Sequence, residues 1–150
     1  MEKKYYFAYG SNMSFKQMKD RCPDSEFVCV GYIENYKFVY DGYSKTRKGA
    51  VGNIIKDKKE KVWGAIFKIS EEDEKKLDKY EGYPRAYSKK YLEAYDKQGN
   101  KYKVLVYLRE PREIGLPSLE YEEIVVESAK QLSLPMDYIN KYLQVRKDRT

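Results

Sequence analysis

Two short segments of the sequence carry residues suited to proton transfer and to holding an oxygen atom. Tyr9-Gly10-Ser11-Asn12 lies where a predicted strand passes into a predicted helix, so consecutive main-chain N–H groups can point into a cavity and bind an anion or a carbonyl oxygen. Glu81 follows another predicted helix, whose C-terminal dipole and apolar surroundings would raise the pKa of its carboxyl group and strengthen it as a base. Taken alone, the two segments also fit an ordinary turn and an exposed glutamate at a helix end.

The sequence contains no histidine. Histidine is the usual base that activates Ser and Cys nucleophiles, and it is a common zinc ligand. Its absence disfavours these reaction classes, and it leaves Ser11 without an evident activating base. Proton transfer near neutral pH would then depend on Asp, Glu, Tyr or Lys side chains with a shifted pKa.

The composition indicates one globular domain. A chain of 150 residues, 41% hydrophobic and 36% charged, can bury a core of its own, and it has no apolar run of membrane-spanning length. The N-terminal residues lack the long apolar segment of a signal peptide, so we expect a cytoplasmic protein with no membrane partner. Cys22 and Cys29 do not form a close ligand or redox pair, and we expect both to be reduced thiols.

The formal net charge of +6 permits nucleic-acid binding without requiring it. Most lysines alternate with acidic residues, which is typical of solvated faces and turns. The compact basic cluster is Lys45-Thr46-Arg47-Lys48. The charge distribution therefore argues against nucleic acid as a partner, but a non-catalytic basic module that binds nucleic acid or a small metabolite stays open as the alternative to an enzyme.

The helices and strands that position residues 9–12 and Glu81 can be predicted from the spacing of hydrophobic residues, from helix caps and from turn residues. The first half should contain a short strand at 4–8, a helix capped by Ser14, and one bent strand or two strands over 27–40. Residues 51–56 and 61–69 should then form a hairpin around the polar segment 57–60.

The second half begins with a helix that Ser70 caps and Gly82 ends. A second hairpin, residues 86–96 and 101–109, should follow, then a helix from Ser118 to about Leu132 and a last helix from Pro135. Strands and helices do not alternate regularly, so we predict an α+β fold with a mixed, barrel-like sheet flanked by helices.

Four segments occur in an order that resembles the γ-glutamylcyclotransferase family. They are Tyr6-Phe7-Ala8-Tyr9-Gly10-Ser11-Asn12-Met13, Val62-Trp63-Gly64, Leu77-Asp78-Lys79-Tyr80-Glu81-Gly82 and Pro117-Ser118-Leu119-Glu120-Tyr121. The resemblance runs from about residue 5 to about residue 142. It implies a small mixed α/β fold around a β-barrel, no metal or cofactor, and conversion of a γ-glutamyl amino acid or γ-glutamylamine into 5-oxoproline and the free amine.

The resemblance also assigns roles to residues of this chain. Glu81 matches the catalytic glutamate, Tyr121 matches a tyrosine that closes the pocket, and Tyr87 matches a second pocket tyrosine, although residues 83–86 between them differ from the family pattern. The expected partner is a small γ-glutamyl substrate, and we expect a monomer or a homodimer. The substrate cradle matches Tyr6, Phe7, Ala8, Tyr9, Gly10, Ser11 and Asn12.

Overall fold

The computed structural model describes residues 3–147. Within this range the elements follow one another in an α+β order. They are β1 (Lys4–Ala8), a 3₁₀ turn (Ser11–Met13), α1 (Phe15–Arg21), β2 (Glu26–Ser44), β3 (Gly49–Ile69), α2 (Glu71–Glu81), β4 (Ser88–Asp96), β5 (Lys101–Leu108), α3 (Leu119–Gln131), α4 (Met136–Tyr138) and a π turn (Ile139–Leu143). No helix in this range is both long and apolar enough to cross a bilayer.

The five strands form a closed barrel in the order β1-β3-β2-β4-β5. Neighbouring strands are antiparallel except where β5 meets β1, a parallel pair in which Tyr5 lies opposite Val104. Fully buried Phe7 and Ile66 belong to the core, and α3 adds Val125 to the same apolar cluster. The predicted mixed, barrel-like sheet flanked by helices is confirmed.

Local sequence signals account for α2, the helix that ends at Glu81. The Ser70 hydroxyl accepts a hydrogen bond from the main-chain N–H of Asp73, and the Asp73 carboxylate accepts one from the main-chain N–H of Ser70. This reciprocal capping box satisfies two N–H groups that the helix itself cannot pair. At the other end Gly82 adopts a left-handed conformation, φ 67°, which glycine reaches without the steric cost of a Cβ.

The predicted hairpin around residues 57–60 is wrong. Residues 49–69 form one strand, in which Lys56 lies opposite Tyr36 and Lys61 opposite Glu34. The polar segment is therefore a long bulge facing Asn35 alone, which has a positive φ of 68°. Polar residues suit a bulge as well as a turn, because both expose unpaired backbone to water. The chain reverses instead at residues 45–48, and β2 is one bent strand.

Candidate active site

A cavity of about 600 Å³ opens where β1 passes into the 3₁₀ turn, beside the C-terminal end of α2. Ala8 is not part of its wall; this residue is buried, and its main chain packs against Gly64 of β3. The other nine residues that the sequence proposed all line it: Tyr6, Phe7, Tyr9, Gly10, Ser11, Asn12, Glu81, Tyr87 and Tyr121.

The 3₁₀ turn forms part of the cavity wall, and two of its main-chain N–H groups have no partner within the turn. Its internal hydrogen bonds run from Met13 N–H to the Gly10 carbonyl and from Ser14 N–H to the Ser11 carbonyl, both 3.0 Å long. The N–H groups of Ser11 and Asn12 come before these bonds, so the turn contains no acceptor for them. A Cβ added at Gly10 would lie 3.4 Å from the Tyr121 hydroxyl, so a larger residue there would narrow the space between loop and tyrosine.

Side-chain hydrogen bonds hold this turn in place. The Asn12 amide donates to the Tyr6 hydroxyl (3.0 Å), and Gln17 donates to Ser11 Oγ (2.7 Å) and to Asn12 Oδ1 (2.8 Å). Ser14 caps α1 as predicted, accepting from Gln17 N–H at 3.2 Å. The Gln17 side chain itself supports the turn. The Ser11 and Asn12 side chains are therefore engaged within the protein, and the main chain is the part free to bind a ligand.

Glu81 is the last residue of α2, and its side chain is partly buried in the cavity wall. Burial raises the pKa of its carboxyl group to about 7, and the charges of Arg21, Arg109 and Arg47 limit the rise. No described residue donates a hydrogen bond to this carboxylate. Glu81 is therefore part protonated and part ionised at neutral pH, which suits a group that both accepts and returns a proton.

Two tyrosines are anchored to one point of β3. The main-chain N–H of Gly52 donates to the Tyr121 hydroxyl at 3.1 Å, and the Tyr87 hydroxyl donates to the Gly52 carbonyl at 2.7 Å. Burial is the main cause that raises the pKa of Tyr87 and of Tyr121. Both therefore stay uncharged near neutral pH and form a polar wall opposite the turn.

The structure adds arginines that the sequence analysis did not place here. Arg47 Nη2 donates to Gln17 Oε1 at 3.0 Å, and its guanidinium lies 5.2 Å from the ring centre of Tyr121. Arg47 was visible in the sequence only as part of the basic cluster 45–48. Arg109 is buried, donates to Asp41 at 2.7 Å and stacks on Tyr87. No sequence signal distinguished Arg109, because its neighbours come from distant segments.

The described residues include no group of three or more His, Cys, Asp or Glu side chains that could hold a metal ion. Cys22 and Cys29 are both free thiols, and Cys22 is fully buried. The groups available for chemistry in the cavity are therefore one carboxyl group, several hydroxyls, four guanidinium groups, the ammonium group of Lys79 and main-chain N–H groups.

Comparisons with known proteins agree with this geometry. The model of the AIG2-like family matches residues 61–142. A human protein named gamma-glutamylcyclotransferase is 28% identical over 91% of this chain and 75% of its own length, and the mouse protein of that name is 26% identical over the same shares. A solved structure named gamma-glutamyl cyclotransferase has a TM-score of 0.91 and 27% identity, and the match covers 97% of this chain and 89% of that one.

Proposed function

Because the chain belongs to the AIG2-like family, we propose that it is a γ-glutamylcyclotransferase, which converts a γ-glutamyl compound into 5-oxoproline and a free amine. One observation carries the proposal: a single cavity contains both the carboxyl group of Glu81, with a pKa of about 7, and the main chain of residues 10–12. Relatives named for this activity, at 26–28% identity over most of the chain, support it.

The substrate supplies its own nucleophile. Its α-amino nitrogen attacks the γ-carbonyl carbon, a five-membered lactam forms, and the bond from that carbon to the leaving nitrogen breaks. When the substrate is held folded, such a ring closure gains from effective molarities of ~10⁵ M or more. The protein therefore needs no nucleophilic side chain, which agrees with the absence of histidine and with the engaged hydroxyl of Ser11.

Glu81 moves the protons that this reaction must transfer. The carboxylate removes a proton from the α-ammonium group, and the resulting acid gives it to the departing nitrogen as the C–N bond breaks. The attacking nitrogen loses a second proton when the lactam forms, and Glu81 passes that proton to the freed amine, which leaves as an ammonium ion while the carboxylate is regenerated. The main-chain N–H groups of Ser11 and Asn12 donate to a substrate oxygen that carries negative charge. Losing one donor of this kind typically costs ~3 kcal/mol of transition-state stabilisation.

The basic cluster at 45–48 gives less support to the alternative, a nucleic-acid binding module. Arg47, its most central cation, reaches into the cavity and contacts Gln17. Fewer cations of the cluster then remain on the outer surface for phosphate groups. The absence of a nucleic-acid partner, the cytoplasmic location and the monomeric or homodimeric state stay predictions.

Incubating the protein with a panel of γ-glutamyl amino acids and γ-glutamylamines, and measuring 5-oxoproline, tests the proposal. Dipeptides with an α-glutamyl linkage are the matched control, because attack at their γ-carboxyl group releases no amine. We expect 5-oxoproline only from γ-linked compounds. A protein that turns over none of them, yet binds RNA or DNA with an affinity that falls steeply with salt, would instead be the binding module.

A further inference from the structure

The cavity carries more positive charge than the proposed reaction requires. Among the described residues that line it, one side chain, that of Glu81, is acidic and five are basic: Arg21, Arg47, Lys79, Arg109 and Arg112. A substrate with more than one carboxylate would balance this excess charge.

Three of the arginines have partners within the protein. Arg21 donates to Asn12 Oδ1 at 3.3 Å and stacks on Tyr80. Arg47 donates to Gln17 at 3.0 Å, and Arg109 forms its buried ion pair with Asp41. The same three arginines lower the pKa of Glu81. They therefore surround the end of the cavity where the proton transfer takes place.

Arg112 differs from these three in its contacts. Its main-chain N–H donates to Asp41 Oδ2 at 3.0 Å, which fixes its backbone. Its guanidinium group is exposed, and no side chain between residues 3 and 147 accepts a hydrogen bond from it or forms an ion pair with it. Arg112 is also not among the charges that shift the pKa of Glu81.

Gly42 shows how close Arg112 lies to the other arginines. A Cβ added at Gly42 would lie 2.8 Å from Nη2 of Arg109 and 3.1 Å from Cδ of Arg112. Both side chains thus pack beside Gly42. Arg109 lies in the interior and Arg112 lies on the solvent side. Arg112 therefore occupies the rim of the cavity, beyond the groups that surround Glu81.

We propose that Arg112 binds the carboxylate of the amino acid that leaves, and so determines a preference for γ-glutamyl amino acids over γ-glutamylamines. This inference rests on the proposed function. In the binding mode that we propose, the α-amino group of the substrate lies beside Glu81 and the leaving nitrogen faces the open rim. An amino acid carries its carboxylate one carbon from that nitrogen, and a guanidinium group binds a carboxylate through charge-assisted hydrogen bonds.

A matched pair of substrates tests the role of Arg112. γ-Glutamyl-alanine and γ-glutamyl-ethylamine have the same scissile amide and differ by one carboxylate. We expect the native enzyme to show a kcat/KM at least ~10-fold higher for the alanine compound, the size of one charge-assisted hydrogen bond at a partly exposed site. In Arg112→Met this ratio should fall to within about threefold of one, mainly through a higher KM, because the contact exists before and during the reaction.

Two further variants make the test specific. Arg112→Lys keeps the positive charge and should restore part of the preference. Arg85→Met removes an exposed arginine that does not line the cavity and should leave the ratio unchanged. Three results would each overturn the inference without contradicting the cyclotransferase activity. They are equal kcat/KM values for both substrates in the native enzyme, an equal loss of kcat/KM on both substrates in Arg112→Met, and the same fall of the ratio in Arg85→Met. No 5-oxoproline from either compound would overturn both.

Discussion

At the scale of single residues, Glu81 is subject to two opposing influences. Burial in the cavity wall penalises its ionised form, while the guanidinium groups of Arg21, Arg109 and Arg47 favour it. Burial dominates, and the pKa settles at about 7 against an ordinary value of 4.5. A carboxyl group with this pKa is a stronger base than a solvated glutamate, and it still exists largely as the carboxylate above neutral pH.

The pH dependence of the reaction should report this pKa directly. We expect kcat/KM for a γ-glutamyl substrate to fall about tenfold per pH unit below pH 7, because protonated Glu81 cannot accept a proton. Steady-state kinetics between pH 5 and 9 measure the pH at which this fall in kcat/KM begins. A fall that begins near pH 4.5 would contradict a raised pKa for the catalytic base.

The same pKa shift predicts a pH-dependent cost in stability. Between pH 4.5 and 7 the unfolded chain releases the Glu81 proton while the folded chain retains it, so the free energy of unfolding falls as the pH rises through this window. Glu81→Gln removes the cost. Urea unfolding should show the variant to be more stable than the native protein by about 2–3 kcal/mol at pH 8, with the difference vanishing near pH 4. A difference independent of pH would contradict the assigned pKa.

The sequence identified Glu81, the turn at residues 10–12 and Tyr121 as candidate site residues, mainly through their resemblance to a family pattern. It could not place Arg47, Arg109 or Arg112. The role of each arginine depends on which distant segment lies beside it, and neither a basic cluster nor a single arginine in a charged sequence shows which segment that is.

At the scale of secondary-structure elements, α2 presents Glu81 to the cavity. The capping box at Ser70 fixes its first turn, and Asp78 accepts hydrogen bonds from Lys89 and from the Tyr107 hydroxyl, the latter at 2.6 Å. Gly82 then ends the helix immediately after the carboxyl group. The position of Glu81 is therefore fixed by the end of the helix.

Gly82→Ala should lower stability and activity together. The left-handed backbone at φ 67° disfavours Ala by ~1–2 kcal/mol, and the new Cβ would lie 2.9 Å from Cβ of Ala86. Relief of this contact would move Glu81, so kcat should fall more than tenfold. Thermal unfolding and 5-oxoproline kinetics measure the two effects.

Gly99→Ala is the matched control for this prediction. Gly99 also has a positive φ, 88°, but no atom lies within 4 Å of an added Cβ, and the residue belongs to the turn after β4. Its stability loss should be comparable and its kcat unchanged. Loss of activity in both variants would show that general destabilisation, and not displacement of the helix end, is responsible.

Most helices and strands could be predicted from the sequence, and the polar segment 57–60 is the exception. Caps and glycines located α1, α2 and α3, and alternating apolar residues located the hairpin of β4 and β5. The polar residues 57–60 predicted a turn, but the chain continues through them as a bulge. Whether a polar segment reverses the chain depends on the partner strand, and the register of β2 against β3 is not visible in the local sequence.

At the scale of the whole molecule, closure of the barrel brings the site together. β1, which leads into residues 10–12, pairs with β3 on one side and with β5 on the other. β5 continues directly into Arg109, whose ion pair with buried Asp41 joins the end of β5 to β2. The irregular order of predicted strands and helices indicated a mixed, barrel-like sheet, and the family resemblance separately implied a β-barrel.

Breaking the Asp41–Arg109 pair should loosen this end of the barrel. Arg109→Met leaves a buried carboxylate without its cation, which typically costs ~3–5 kcal/mol. The variant should also move the acidic limb of the kcat/KM profile to higher pH, because Arg109 is one of the charges that lower the pKa of Glu81. Chemical unfolding and the pH profile measure these effects.

The double variant Asp41→Asn with Arg109→Met provides the control for that pair. Because Asn carries no charge to leave unpaired, the double variant should lose less stability than the sum of the two single variants. Additive losses would show that the two groups do not interact across the barrel end.

The most direct test of the central claim is the rate of 5-oxoproline formation by Glu81→Gln on a γ-glutamyl substrate that the native enzyme turns over. Gln fills nearly the same volume but cannot accept a proton, so the variant should fold and bind substrate while kcat falls by ~10²-fold or more. A folded Glu81→Gln that forms 5-oxoproline at the native rate would contradict the assignment of Glu81 as the base.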